Sequence, residues 1–244
     1  MSSTKYYIGT SGFSYSHWRG PFYPDDLPQA QWLEYYAQTF PTVELNSTFY
    51  RLPRETTVQN WRDRTPTDFL FAVKASRLIT HLHQLHSVQE PLENFLSRMQ
   101  NLGPKLGPLL YQLPPSLKRD EALLEAFLQL LPADYQHVLE FRHPSWYAGK
   151  VDALLGDYNV ALCIHDMNKS ESPVAATADF TYLRFHGTGP RYSGNYSAQQ
   201  LERWAEPIGQ LTRVNNLKSV YAYFNNDIGG HAINNARALA QLLL

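Results

Sequence analysis

Eight short runs rich in β-branched and aromatic residues alternate with helical patterns along the chain, and this alternation constrains the fold more than any other feature. The runs are KYYIGT (5–10), TVELNS (42–47), FLFAVK (69–74), LLYQL (109–113), HVLEFR (137–142), NVALCIH (159–165), TYLRFHG (181–187) and SVYAYFN (219–225). Between them, PQAQWLEYYAQTF, ETTVQNWRDR, EPLENFLSRMQNL, DEALLEAFLQLL, SAQQLERWAEPIGQLTRV and HAINNARALAQLLL carry apolar residues at three- and four-residue spacing. GKVDALLGDY is a weaker helix, and residues 166–179, DMNKSESPVAATAD, join strands six and seven without a clear one.

Repeated β/α units require parallel strands, and eight of them within 244 residues favour a closed (β/α)8 barrel of the TIM type. A doubly wound open sheet would place a glycine-rich phosphate turn after its first strand. GTSGFS has two glycines without the dinucleotide spacing. No stretch resembles a linker or a low-complexity tract, so the expectation is one domain over residues 1–244, with the helix between strands six and seven weak or missing.

Apolar residues make up 43% of the chain and charged residues 18%, enough for a sizeable core and too few charges for a disordered chain. A formal net charge of −1 provides no global field for a polyanion. Cys163 is the single cysteine and sits in the apolar run NVALCI, which excludes an intramolecular disulfide and any cysteine-based zinc cluster. No apolar run reaches signal-peptide or membrane-spanning length, so the expected protein is soluble and cytoplasmic.

In a barrel, alternate strand residues point inward and active sites gather at the carboxyl ends of the strands. Sorting by parity places Thr10 with Ile8, Glu44 with Asn46, Lys74, Gln112, Glu140 with Arg142, His165, Arg184 with His186, and Tyr223 with Asn225 in the lumen. The opposite parity is almost wholly apolar and belongs under the helices. Lys74, Arg142, Arg184 and His186 would make this lining cationic and suit an anionic ligand. The competing account is structural, with Glu140 answering Arg184 as a buried ion pair. Glu44 and Glu140 lie on strands expected to stand far apart, which weakens a glycosidase-like pairing.

The loops after strands seven and eight, HGTGPRYSGNYS and NNDIGGHAINNA, contain Gly187, Gly229 and Gly230, and the second runs into a helix. Barrel enzymes bind phosphate there through backbone N–H groups and a helix N-terminus. The long loop after strand one is aromatic. Tyr15 and Trp18 there, with Tyr50, Trp146 and Tyr192 from other loops, would either stack on a base or sugar or pin the loops to the body. Arg19 and Arg191 are candidate phosphate contacts. The histidines His81, His83 and His86, with His165, Asp166, His186, Asp227 and His231, form no metal-ligand spacing of high specificity, and cationic neighbours would oppose a divalent ion. No G-x-S-x-G nucleophile elbow occurs.

Taken together, YIGTSGFSYSHWRGPFYP, VELNSTFYRLP, FLFAVKASRLITH, LGPLLYQLPPS, LEFRHPSW, YLRFHG and VYAYFNND resemble the YecE-like family, domain of unknown function seventy-two, over practically the whole chain. The resemblance implies a TIM-type barrel without a settled activity. It marks Glu44, Asn46, Lys74, His81, Gln112, Glu140, Arg142, Arg184, His186, Asn225, Asn226 and Asp227 as polar site positions. Fold analogy extends to endonuclease-IV-like and xylose-isomerase-like groups, whose acidic and histidine metal clusters are at odds with Lys74 and Arg184 in the lining.

The leading expectation is a protein that binds, and acts on, a phosphate-bearing ligand such as a sugar phosphate, nucleotide or nucleic acid, without a metal or other cofactor. Glu140, His186, Glu44 and Lys74 are the candidate acid–base and catalytic groups, for hydrolysis, elimination or isomerisation. Asn46, Gln112, Arg142, Arg184, Tyr223, Asn225, Asn226, Asp227, Tyr15, Trp18 and the loop glycines are the candidate ligand contacts. The alternatives are a non-catalytic nucleic-acid or nucleotide binder and a metal-dependent nuclease or isomerase.

Overall fold

The computed structural model describes residues 4–167, 171–190 and 192–244. Its strands are β1 (Lys5–Ser11), β2 (Thr42–Leu45), β3 (Leu70–Lys74), β4 (Leu106–Gln112), β5 (His137–Glu140), β6 (Ala161–His165), β7 (Phe180–Phe185) and β8 (Ser219–Phe224). They pair in parallel in sequence order, and β8 returns to β1 from Lys5↔Ser219 to Thr10↔Phe224, closing the barrel. The expected (β/α)8 architecture is the one observed.

The helices are α1 (Trp32–Ala37), α2 (Ser47–Tyr50), α3 (Glu55–Asp63), α4 (Gln89–Met99), α5 (Glu121–Leu128), α6 (Lys150–Asp157), α7 (Ala198–Asn215) and α8 (His231–Leu243). The periodic segments all become helices, GKVDALLGDY included. Their starts have local causes: Ser197 and Gln200 form a capping box at α7, and Asp120 accepts the Leu123 amide at α5. The described residues of 166–179 contain no helix. There Ser172 and Thr177 hydrogen-bond the backbone of the β6 region: Ser172 Oγ accepts from His165 N at 2.8 Å and Thr177 Oγ1 accepts from Leu162 N at 2.7 Å. Side-chain hydroxyls thus tie an extended segment to the wall where a helix would otherwise pack.

The core has two layers. Leu139, Phe141, Leu162, Ile164, Leu183 and Phe185 lie between sheet and helices. Inside the barrel, Ala72, Leu110, Val138, Cys163, Tyr182, Tyr221 and Tyr223 fill the lumen, and Tyr7 stacks on Tyr221 with ring centroids 5.1 Å apart. Parity therefore holds for β2 to β8 but is inverted on β1. Ile8 belongs to the outer core, and Thr10 faces α1, its hydroxyl 2.9 Å from the Tyr36 hydroxyl, while Ser11 turns inward. Tyr7, Gly9 and Ser11 share the inward parity, and at Gly9 a Cβ would lie 2.3 Å from the Thr42 carbonyl oxygen, so β1 approaches β2 too closely there for a side chain.

Candidate functional site

At the carboxyl end of the lumen the strands deliver two carboxylates and two guanidiniums, and these bind one another. Arg184, 2% exposed, donates from Nη2 and Nε to Glu44 Oε1 at 2.9 and 3.2 Å, and from Nη1 to Glu140 Oε2 at 2.7 Å. Glu140 Oε1 is held by Arg142. Ser11 and Tyr182 complete the Glu44 carboxylate with O–H donors, each at 2.6 Å. Glu44 and Glu140, on strands two and five, are thus bridged by one guanidinium.

The pKa consequences follow from the geometry. Burial pushes Glu140 up, but Arg142 and Arg184 outweigh it and hold the carboxyl well below the usual range. Burial likewise opposes ionisation of Glu44, and Arg184 with the Ser11 and Tyr182 hydroxyls leaves it lowered. Both are ionised at neutral pH, and the four charges sum to zero. The expected cationic lining is corrected accordingly: the two arginines are neutralised, and Glu44 and Glu140 have no proton to exchange.

His186 is also committed. Arg142 Nη2 lies 3.0 Å from His186 Nε2; a guanidinium can only donate, so Nε2 accepts and the ring proton sits on Nδ1, 3.5 Å from Asp166 Oδ1. Burial lowers its pKa, the Asp166 contact opposes this, and the two arginines lower it further, leaving a neutral ring. The base lone pair assigned to His186 from sequence is therefore occupied. Asp166 is fixed by the His186 amide at 2.8 Å and by the Tyr196 hydroxyl. His165 Nε2 lies 3.0 Å from both the Phe141 carbonyl and the Tyr147 hydroxyl, and burial takes its pKa down to about 4.

Lys74 is different. At the end of β3 its Nζ donates to Gln112 Oε1 at 2.6 Å and stands 4.3 Å from the centroid of the Phe49 ring. No described carboxylate lies within ion-pair distance. Burial first, and then the Arg184 guanidinium, lower its pKa to about 8. The Phe49 ring also meets His81 in an edge-on contact, ring centroids 4.9 Å apart. His81 sits on a π-helical turn over Leu78–Leu82, an irregularity often found at functional sites, and its Nδ1 is 2.9 Å from the Thr80 hydroxyl. Asn46 joins this rim with a buried Oδ1 that has no partner among the described residues.

Several other candidates belong to the walls. Tyr223 is fully buried and its hydroxyl meets Thr42 Oγ1 at 2.7 Å inside the lumen. Asn226 turns outward to Asn235 Oδ1 at 2.8 Å and Gly194 O at 2.9 Å. Trp18 is 0% exposed among Tyr15, Phe22 and Tyr23, and Trp146 stacks on Phe141, so both pin loops. Arg19 binds the Asp25 carbonyl at 2.8 Å within its own loop, and Arg191 lies outside the described residues. The Gly187 amide is taken by Tyr196 and the Gly230 amide by the Asp227 carbonyl, which removes both as free anion donors. Gly229 and Gly230 adopt left-handed φ of 84° and 75°, shaping the turn into α8.

The remainder faces the mouth. Asn225 continues the inward parity of Tyr223, and Asp227 lies 3.4 Å from His17 Nε2. Tyr15 donates to the Ser11 carbonyl at 2.6 Å, within the field of Asp227 and Glu44. Tyr192 is exposed, its ring 5.8 Å from His186. Sequence reasoning missed Ser11, because of the inverted parity of β1, and Tyr182, although it stands two residues before Arg184 on the same face. It also missed Phe49, on a one-turn helix too short to leave a periodic signal. Among the described residues no three His, Cys, Asp or Glu side chains converge to hold a metal ion.

Fold and site together define a TIM-type barrel whose polar centre lies at the carboxyl mouth, above a floor of mutually neutralised ions. The chain belongs to the family described as protein of unknown function DUF72, which it matches over residues 7–244. It is 38% identical over 117 residues to the UPF0759 protein YecE of Escherichia coli K12, an alignment spanning 48% of this chain and 43% of that protein. It is 27% identical to the UPF0759 protein YunF of Bacillus subtilis over 271 aligned positions, covering 97% of this chain and 94% of that protein. A crystal structure of a DUF72 family protein from Thermotoga maritima superposes with a TM-score of 0.89 at 31% identity, over 98% of this chain and 99% of that one. No helix of the described residues is long and apolar enough to cross a membrane.

Proposed function

We propose that the chain is a metal-independent enzyme that binds a small phosphate-bearing ligand at the barrel mouth and acts on it through Lys74. The observation that carries this reading is the state of Lys74: an amine at the mouth whose only described hydrogen-bond partner is a neutral amide, beside arginines already neutralised by carboxylates. A lysine tuned toward neutral pH by burial and a neighbouring cation is suited to proton transfer or nucleophilic attack. Support for a phosphate comes from α8, which begins at His231: its N-cap Gly230 supplies no side-chain cap to the amides of the first turn, and a Cβ at Gly230 would meet nothing within 4 Å. The phosphate belongs at those amides and the reacting end of the ligand at Lys74. The buried, mutually packed loop aromatics argue against base stacking as the main mode of binding.

A thermal-shift panel of sugar phosphates, nucleotides, neutral sugars and oligonucleotides tests the reading on wild type and Lys74→Met. Phosphate-bearing small molecules are expected to stabilise the wild type and to do so less in the variant. Stabilisation by neutral sugars alone would overturn the anion site. A strong response confined to oligonucleotides and lost steeply with salt would favour the non-catalytic binder.

A further inference from the structure

We infer that Lys74 acts covalently, its amine forming an imine with an aldehyde or ketone carbon of the ligand. This rests on the reading of the mouth given above and adds to it a substrate class, phosphorylated carbonyl compounds. The argument begins with what surrounds the nitrogen. Gln112 accepts one of its protons at 2.6 Å and the Phe49 ring, 4.3 Å away, covers a second side. The carboxylates of this layer, Glu44 and Glu140, are spent on Arg184 and Arg142, so neither is released to hold an ammonium ion. The lowered pKa of about 8 has the same origin, burial followed by the Arg184 charge. At pH 7.4 it leaves roughly 200-fold more free amine than an ordinary lysine has.

Two other nucleophiles near this layer are not available. Cys163 is fully buried beneath Glu140, and burial and that carboxylate push its thiol well above the usual range. Ser11 is buried and donates its hydroxyl proton to Glu44, which Arg184 keeps ionised. Lys74 alone combines a basic nitrogen with a place on the rim. Asn46 follows Leu45, which pairs with Val73 just before Lys74, and its buried Oδ1 has no partner among the described residues, so it is a candidate acceptor for the hydroxyl of a carbinolamine.

The step balances without an oxidant or reductant. The nitrogen lone pair forms the N–C bond, the carbonyl π electrons move to oxygen, and one nitrogen proton passes to that oxygen, giving a carbinolamine. The remaining lone pair then forms C=N as the C–O bond breaks, and the oxygen leaves as water with one added proton. Amine, carbonyl and one proton give an iminium ion and water. His81 is the candidate to carry the proton: it packs on the same Phe49 ring as Lys74, and with Nδ1 at Thr80 its Nε2 has no hydrogen-bond partner among the described residues. Burial and the Lys74 charge keep it neutral and able to accept and release a proton.

The test is reductive trapping. Protein is incubated with dihydroxyacetone phosphate and sodium borohydride, and adducts are located by intact mass and peptide mapping. Glycerol 3-phosphate, which lacks the carbonyl, and dihydroxyacetone, which lacks the phosphate, run in parallel with thermal shifts for all three. The expected result is an adduct on Lys74 at least about tenfold above other lysines, lost in Lys74→Arg, while glycerol 3-phosphate still stabilises both proteins. Stabilisation by both phosphates with no Lys74 adduct overturns the imine and leaves the phosphate site standing. Equal trapping of dihydroxyacetone with no stabilisation by glycerol 3-phosphate overturns the phosphate site and leaves the reactive amine. Labelling spread evenly over the lysines overturns the proposal.

Discussion

Replacing Arg184 by Met removes the cation that serves two buried carboxylates at once. Three hydrogen bonds disappear, at 2.9 and 3.2 Å to Glu44 and 2.7 Å to Glu140. Glu140 retains Arg142, and Glu44 retains only the Ser11 and Tyr182 hydroxyls. Deleting one partner of a buried ion pair costs about 3–5 kcal/mol, because a charge is left in low dielectric. Against a domain stability of about 5–15 kcal/mol the variant should fold but be strongly weakened in urea. The pH dependence carries the diagnosis. In the wild type both carboxyls are depressed in the folded state, so their stabilisation is present above the unfolded value of about 4.3 and fades as pH falls below it. In the variant, burial dominates at Glu44 and lifts its folded pKa above the unfolded one, so stability falls as pH rises from about 4.3 toward neutrality. The gap between the two proteins should therefore widen from pH 4.5 to 7, and Glu44→Gln added to Arg184→Met should recover part of the loss although it destabilises alone. A gap below about 1 kcal/mol that does not change with pH would refute the reasoning.

Tyr223→Phe should cost about 1 kcal/mol in urea unfolding, for one hydrogen bond to Thr42, and leave every ligand-induced thermal shift unchanged. Gly187→Ala should destabilise by about 1–3 kcal/mol, since Gly187 has φ of 95° and a Cβ there would lie 2.2 Å from Ser193 O; chemical denaturation measures it. The Lys74 amine should titrate near pH 8 by NMR of the reductively 13C-methylated protein. Its folded pKa lies below the unfolded one, so the protein gains stability as pH rises from about 8 toward 10, and Lys74→Met should remove that rise.

How much of the site could be read in advance follows from what strand parity encodes. Alternation separates faces, so HVLEFRH could be resolved at once: Leu139 and Phe141 go under the helices, Val138, Glu140 and Arg142 go inward. It says nothing about which inward group meets which, because a partner sits on another strand at a height set by barrel stagger. Glu44 and Glu140 looked remote by strand count, and Arg184 is long enough to reach both. On β1 even the face was misread, because Gly9 carries no side chain to register which way the strand turns, and Thr10 is small and polar enough for either side. Trp18 and Asn226 failed for a related reason: a loop aromatic or an amide after a strand fits a ligand and a neighbouring loop equally well by type, and only the packing around it decides.

The same distinction bears on function. Strand parity made the lining cationic by setting Lys74, Arg142, Arg184 and His186 in the lumen, yet a count of charges is not a field. Once Arg184 and Arg142 are set against Glu44 and Glu140, the layer is neutral, and its effect on the mouth is that of oriented dipoles. Arg184 acts on Lys74 to lower its pKa, while Glu140 and Glu44 act to raise it; burial settles the balance in favour of the free amine. The ionic floor therefore spares Lys74 the salt bridge a lysine would otherwise form, and the sign of this effect depends on Arg184. With the arginine replaced by Met, the released carboxylates should draw the Lys74 pKa back up and suppress imine trapping, even where the barrel remains folded.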